Sequence, residues 1–228
     1  MSTVASPFQW DDGIALGFFL LSWIAYAGLS DHPRRQQDSL LAVTNRYRLK
    51  WMQEMLKRDN RMMDATMVGN LLRSITFFAN TTIFILLGLM GMLGYQDRLA
   101  NIFAAIPFSR PTEGFMWEVK IFLLIFIFIH AFFKYTWSLR QYNYACIYIA
   151  SCPQRGESVD YDSIAQRGAW LVGNAAKHFN HGLRSYYFGL GALAWFIHPM
   201  IFIAATGWVV FITHRREFRS GTLKNLAE

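Results

Sequence analysis

The chain has 228 residues, of which 54% are hydrophobic, 17% aromatic and only 16% charged, with a formal net charge of +7. Soluble domains carry about a quarter charged residues, and here the apolar excess is gathered into long runs. A water-soluble globule is therefore excluded as the first reading, and so is a nucleic-acid-binding domain, because the cations cluster beside the apolar runs where membrane orientation calls for them.

Residues 1–12 contain no Lys or Arg, and 13–30 is uncharged over 18 residues. That length is close to the roughly 20 residues a helix needs to cross about 30 Å of hydrocarbon. The basic n-region of a signal peptide is missing and no small-residue cleavage site follows, so this run reads as a retained anchor.

An amphipathic helix is expected over about 39–63. Leu40, Tyr47, Trp51, Met55 and Met62 recur at helical spacing, with Arg46, Arg48, Lys50, Lys57 and Arg58 on the other side. Flanked by two spans, such a helix is expected to lie along the cytoplasmic leaflet, or else to dock a partner helix.

The stretch RDNRMMDATMVGNLLRS over 58–74 is dense in pairing side chains. On one continuous helix Asp64 would reach Arg61 three residues away. It would also meet Arg73, or Arg140 from a neighbouring helix, in a charge network. The next run, 74–96, is uncharged over 23 residues and reads as the second span. Asn80, Thr81 and Thr82 within it suit packing between helices or bonding back to their own backbone.

The third span is expected over 115–137, extending to 150. After about 20 residues of rise the chain reaches HAFFKYTWSLRQYNY. There Lys134 and Arg140 snorkel to the headgroups, and Tyr135, Trp137, Tyr142 and Tyr144 suit the aromatic belt. His130 is left one turn inside the hydrocarbon. Cys146 and Cys152 lie nearby without further thiols, so a reduced structural pair is expected rather than a disulfide framework or zinc site.

A weaker helix over about 160–183, capped by Asp160 or Asp162 and thinned by Gly168 and Gly173, completes a cytoplasmic layer. His178 and His181 on it lack a third metal ligand at fixed spacing. Residues 185–213 are uncharged over 29 positions and read as a fourth span. Pro199 should kink it or, alternatively, turn it back at His198-Pro199 as a re-entrant hairpin.

Charge orients the whole. Nine Lys/Arg residues lie in 31–73 and six in 134–184, against two in 97–118, so the N-terminus and the 97–118 loop are expected outside and the basic connections inside. Four crossings would leave the C-terminus outside too, yet the tail HRREFRSGTLK carries four Lys/Arg. The expectation of a kinked full span and the charge of the tail are in conflict.

No phosphate loop, nucleophile elbow, paired catalytic carboxylates or HExxH is present, and no enzyme is expected. His130 and His198, both in apolar runs, are the pair that could hold a haem b as axial imidazoles; otherwise no cofactor or metal is expected.

The stretches RDNRMMDATMVGNLLRSITFFANTT, FKYTWSLRQYNY and RREFRS together resemble a family of bacterial multi-pass membrane proteins known only as a domain of unknown function, from about Ala15 to Arg219. The resemblance implies an integral membrane protein of four helices and no particular activity. Among the polar residues within those motifs are Arg58, Asn60, Arg61, Asp64, Asn70, Arg73, Lys134, Trp137, Arg140, Gln141 and Asn143. They are the candidate site, expected to converge between the second and third helices.

The expected protein is thus a single all-α domain over 1–228, an integral four-helix bundle in a bacterial inner membrane with amphipathic cytoplasmic helices. Its expected role is a conduit or vestibule for a small anion or anionic lipid headgroup, with Arg61, Arg73, Lys134 and Arg140 supplying the field. The alternatives are an accessory subunit of a larger membrane complex and a haem protein. Membrane lipids and further copies of the chain are the expected partners.

Overall fold

The computed structural model describes residues 10–31, 39–95, 102 and 114–227. Among them the regular structure is helical throughout. In chain order it comprises α1 (Trp10–Asp31), α2 (Leu40–Leu56), α3 (Met62–Leu93), α4 (Gly114–Ala150), α5 (Tyr161–Ala192), a 3-10 turn (Leu193–Phe196), α6 (Pro199–Phe218) and α7 (Gly221–Ala227). The all-α expectation holds. Three stretches, Trp10–Ser30, Met62–Leu93 and Phe115–Ala150, are long and apolar enough to cross a membrane. Their outward faces carry large apolar side chains: Phe18 and Leu21 on α1, Phe77 and Phe84 on α3, Phe122 and Phe126 on α4. Lipid covers such a face at no cost, whereas water would not.

The expected four-span bundle is not what forms over the last third of the chain. α5 is one helix of 32 residues, uniting the weak helix expected at 160–183 with the start of the uncharged stretch. It tightens into the 3-10 turn, His198 adopts an extended backbone, and α6 begins with Pro199 in its first turn. A proline lacks the N–H an interior helical position needs and clashes with the carbonyl four residues earlier, but fits a helix start.

α6 then runs back along α5. Gly191 faces Val209 and Ala205, Tyr187 meets Arg216, and Arg184 pairs with Glu217. The kinked full span over 185–213 is thereby corrected to an antiparallel hairpin, the turn-back reading at His198-Pro199.

The tip of the hairpin is held by Trp195. Its Nε1 donates to the buried Asp12 carboxylate of α1 at 2.7 Å, its ring stacks on Phe202 at 5.0 Å, and the Lys120 ammonium sits 5.6 Å from its centroid. This end of the molecule also gathers Phe19, Leu89, Trp117 and Phe188 into one core.

α4 and α5 pack antiparallel along their whole length. From that end downward, Phe128 meets Gly189, Tyr135 meets Gly182, the Ser138 hydroxyl donates to the Ala175 carbonyl at 2.7 Å, and Tyr148 donates to the Ile164 carbonyl. A methyl at Gly182 would lie 2.5 Å from the Tyr135 ring. Gly182→Ala is therefore expected to lower stability by about 1–3 kcal/mol despite alanine's better helix propensity. An unchanged melting midpoint of the detergent-solubilised protein would contradict this close approach.

α3 runs antiparallel to α4, with Phe78 stacked on Tyr135 at 5.6 Å, and reaches α5 through the Thr82–Tyr186 hydroxyl pair. α1 runs parallel to α6, with Phe19 on Phe202 near one end and Tyr26 and Ser30 bonded to Glu217 at the other. Thus Trp10, Leu93, Met116 and the hairpin tip share one end. The opposite end, called the basic end below, holds α2, the first turns of α3 and α5, and the last turns of α4 and α6, with α7 docked on α2 through Tyr47.

At the basic end two expectations are corrected. The amphipathic helix expected over 39–63 stops at Leu56, and Met62 and Met63 start α3. The intervening Asn60 accepts from the Met62 amide, and Arg61 is the N-cap from which a new helix starts. Nor does α2 lie across the spans. It stands antiparallel along α5, with Gln53 bonded to Asp162, Met52 against Gly168 and Asn45 against Gly173. Its buried face of Leu41, Val43, Met52, Met55 and Leu56 fits the small-residue face Ala165, Gly168, Ala169, Val172, Gly173 and Ala176 of α5. Apolar surface already covered by protein has nothing further to gain from a leaflet.

Candidate anion-binding groove at the basic end

The residues expected to converge between α3 and α4 are sorted into three separate settings. Asp64 is fully buried and its Oδ1 accepts from the Arg58 guanidinium and the Trp51 indole, each at 2.7 Å. Its partner is therefore not Arg61, Arg73 or Arg140. The expected i, i+3 pairing assumed one helix through 58–64, and the interruption of the helix between Leu56 and Met62 removes it.

Arg61 instead donates to the backbone carbonyls of Cys152 and Pro153, tying the start of α3 to the end of α4. Both cysteines are free thiols. Burial pushes the Cys152 thiol up, only partly opposed by Arg61, so it stays protonated at neutral pH, as a structural cysteine does.

Most of the remaining residues face outward. Asn70 accepts from Arg73 at 2.8 Å on the exposed side of α3. Trp137, Arg140 and Asn143 lie on the exposed side of α4, Lys134 is half-buried, and Gln141 is buried. The contact between α3 and α4 itself uses apolar groups, among them Val68, Ile75, Ala79 and Tyr142. Asn60 accepts from the Met62 amide just ahead of α3, as described above.

The two histidines do not face each other. His130 bonds Ser185 at 2.9 Å and meets the edge of Trp23, whereas His198 caps α6 beside the hairpin tip by accepting from the Met200 amide. Since Lys120 marks the level of the tip on α4, the two lie roughly 15 Å apart along the helix axis. They are not placed as an axial pair on one iron.

A different set of cations does converge. A groove of about 370 Å³ between α2, α5 and α6 is lined by Thr44, Arg48, Arg184, Tyr187, Arg216 and Glu217 among others. Arg184 and Glu217 are paired at 2.9 Å and largely buried, and Glu217 also accepts from Tyr26 and Ser30. This one carboxylate therefore ties α1, α5 and α6 together. Arg216 donates to the Tyr187 hydroxyl and lies over its ring.

Arg48 is the notable member. Among the described residues its hydrogen-bond partners are the neutral Thr44 hydroxyl and Asn45 carboxamide. Burial holds its guanidinium below the usual range, with the Tyr142 phenol only partly offsetting this. A guanidinium remains charged at neutral pH even so. The result is a poorly solvated cation whose field an incoming anion would satisfy.

The groove opens at the level of Tyr26 and Ser30, where the apolar stretch of α1 ends. Sequence reasoning missed Arg48, Arg184, Arg216 and Glu217 as a group because they come from three helices distant in the chain. The available signal was Glu217, the one acidic residue amid the basic tail HRREFRSGTLK.

No curated protein and no solved structure matches the chain. A family described as a protein of unknown function, DUF599, matches residues 14–222. The long apolar helices agree with what the sequence resemblance implies, and the chain belongs to the DUF599 family.

Proposed function

We propose that the protein is a non-enzymatic integral membrane protein of the bacterial inner membrane whose basic end faces the cytoplasm and binds a small anion or anionic headgroup. The groove between α2, α5 and α6 serves as its vestibule. The observation that carries this reading is the gathering of Arg48, Arg184 and Arg216 around one carboxylate, Glu217. Guanidinium groups match the oxygens of phosphate and carboxylate bidentately. The orientation is supported by the tail: the hairpin returns α6 to the end that also holds the two basic connections, so the Lys/Arg distribution favours one side consistently.

This places the ligand site away from the polar face of α3 and α4 first expected, and the two are separable. In detergent-purified protein, Arg48→Ala with Arg216→Ala is expected to reduce retention of phosphate-bearing ligands at least about tenfold, the loss of two charge-assisted contacts. Arg73→Ala with Arg140→Ala is expected to leave it unchanged. The reverse pattern in native mass spectrometry would return the site to α3 and α4.

A further inference from the structure

We infer that the ligand of this groove is the phosphate monoester headgroup of a lipid. The inference rests on the groove being an anion site and adds which anion and which source. Arg48 and Arg216 both line the groove, and among the described residues their side chains bond only neutral groups, Thr44 and Asn45 for the one and Tyr187 for the other, which leaves a surplus of two positive charges there. A phosphate diester brings a single negative charge, whereas a monoester near neutral pH brings between about one and a half and two, with its second proton leaving near pH 6. Matching that surplus therefore favours the monoester.

The hydrogen-bonding groups agree. Arg48 spends one nitrogen on Thr44 and Asn45, and a guanidinium has five N–H donors in a rigid fork. The Tyr187 hydroxyl accepts from Arg216 and keeps its own proton to donate to an oxygen.

The lipid source is argued from position. The groove lies where the apolar stretch of α1 ends, and its wall continues directly into hydrocarbon-facing surface. Leu190, one turn beyond Tyr187 on α5, is exposed, and Ile212, one turn before Arg216 on α6, is half-exposed. Both belong to the 29 uncharged residues of 185–213. An acyl chain rising from a headgroup in the groove would lie along them, so a membrane-resident amphiphile satisfies both surfaces at once.

The test uses full-length protein in detergent and compares dioleoyl phosphatidic acid, dioleoyl phosphatidylglycerol and inorganic phosphate by native mass spectrometry and ligand-dependent melting. At pH 8 phosphatidic acid is expected to be retained about tenfold more than phosphatidylglycerol, the increment of one further charge-assisted contact. As pH falls through about 6 the monoester takes up its proton and that preference should fade.

The groups facing the site are Arg48 from α2, Arg184 and Tyr187 from α5 and Arg216 and Glu217 from α6, with Tyr26 and Ser30 of α1 behind Glu217. His214 adjoins the lining residue Thr213 in sequence, so the pH profile is repeated in His214→Gln, where it should be unchanged.

Arg216→Gln, on an exposed position, and Arg48→Lys are expected to keep the melting midpoint of the unliganded protein and to lose the preference. Equal retention of the two lipids at pH 8 overturns the monoester assignment alone. Competition by inorganic phosphate as effective as that by phosphatidic acid overturns the lipid source. A pH profile abolished by His214→Gln assigns the titration to the protein and overturns the monoester. Failure of every phosphate compound to bind refutes the anion groove itself.

Discussion

Asp64→Ala is expected to be among the most damaging single substitutions at the basic end, lowering stability by about 3 kcal/mol, the lower end of the range for breaking a buried ion pair by removing one partner. The lower end applies because the Arg58 side chain keeps 35% exposure while Asp64 has none. One Asp64 oxygen receives both the Arg58 guanidinium and the Trp51 indole. Its loss leaves a cation and an N–H facing an apolar core made by Met52, Met55, Val68 and Ile149.

Two further variants separate the contributions. Trp51→Phe removes one donor and should cost only about 1 kcal/mol. Arg58→Met combined with Asp64→Leu replaces the pair by apolar groups of similar volume and should recover most of the Asp64→Ala loss. Denaturant unfolding of the solubilised protein measures all three. A double variant as unstable as Asp64→Ala would mean that the pair does more than hold α2 against α3.

The second large effect is one of topology and is read as presence or absence. With the hairpin at 193–198, the chain passes between the two ends five times: along α1, α3, α4, the last turns of α5 and α6. A periplasm-dependent phosphatase fused after Glu228 is accordingly expected to be inactive and a fluorescent protein there to be bright. The same phosphatase inserted in the connection between α3 and α4, residues 96–113, is expected to be active, with at least about a tenfold contrast. Four crossings would make both phosphatase fusions active. That single outcome would return 185–213 to a full span and leave the basic tail unexplained.

The sequence carried a trace of this answer in its own contradiction. A tail with four Lys/Arg residues runs against the charge bias expected for an even number of crossings from an external N-terminus, and Pro199 stands where the chain reverses. Proline weakens a helix wherever it occurs inside one, but whether the chain then kinks or reverses depends on what is there to receive it. Here Trp195 docks between Asp12, Lys120 and Phe202. Those contacts come from three other helices, so no local rule announces them.

The site shows the same division. Asp64 was legible as a buried charge needing a partner, because an acidic group beside an apolar helix start must be paired. The partner itself was not, since helical spacing to Arg61 holds only while the helix continues, and α2 ends at Leu56. Arg73 and Arg140 are unusual polar residues in a distinctive motif, yet both lie on exposed faces. Arg48, Arg184 and Arg216 read singly as ordinary interfacial cations and become a site only together.

By itself, then, the sequence determined that this is an all-α chain with helices long and apolar enough to cross a membrane, three of which the structure retains. Transfer of apolar groups out of water is nearly additive along a run of residues and needs no knowledge of neighbours. Which charges meet was decided only by the tertiary structure. Coulombic and hydrogen-bonded pairing depends on distances of a few ångströms, and those distances follow from where α2 stops, how α5 turns back, and how Glu217 draws three helices onto one carboxylate.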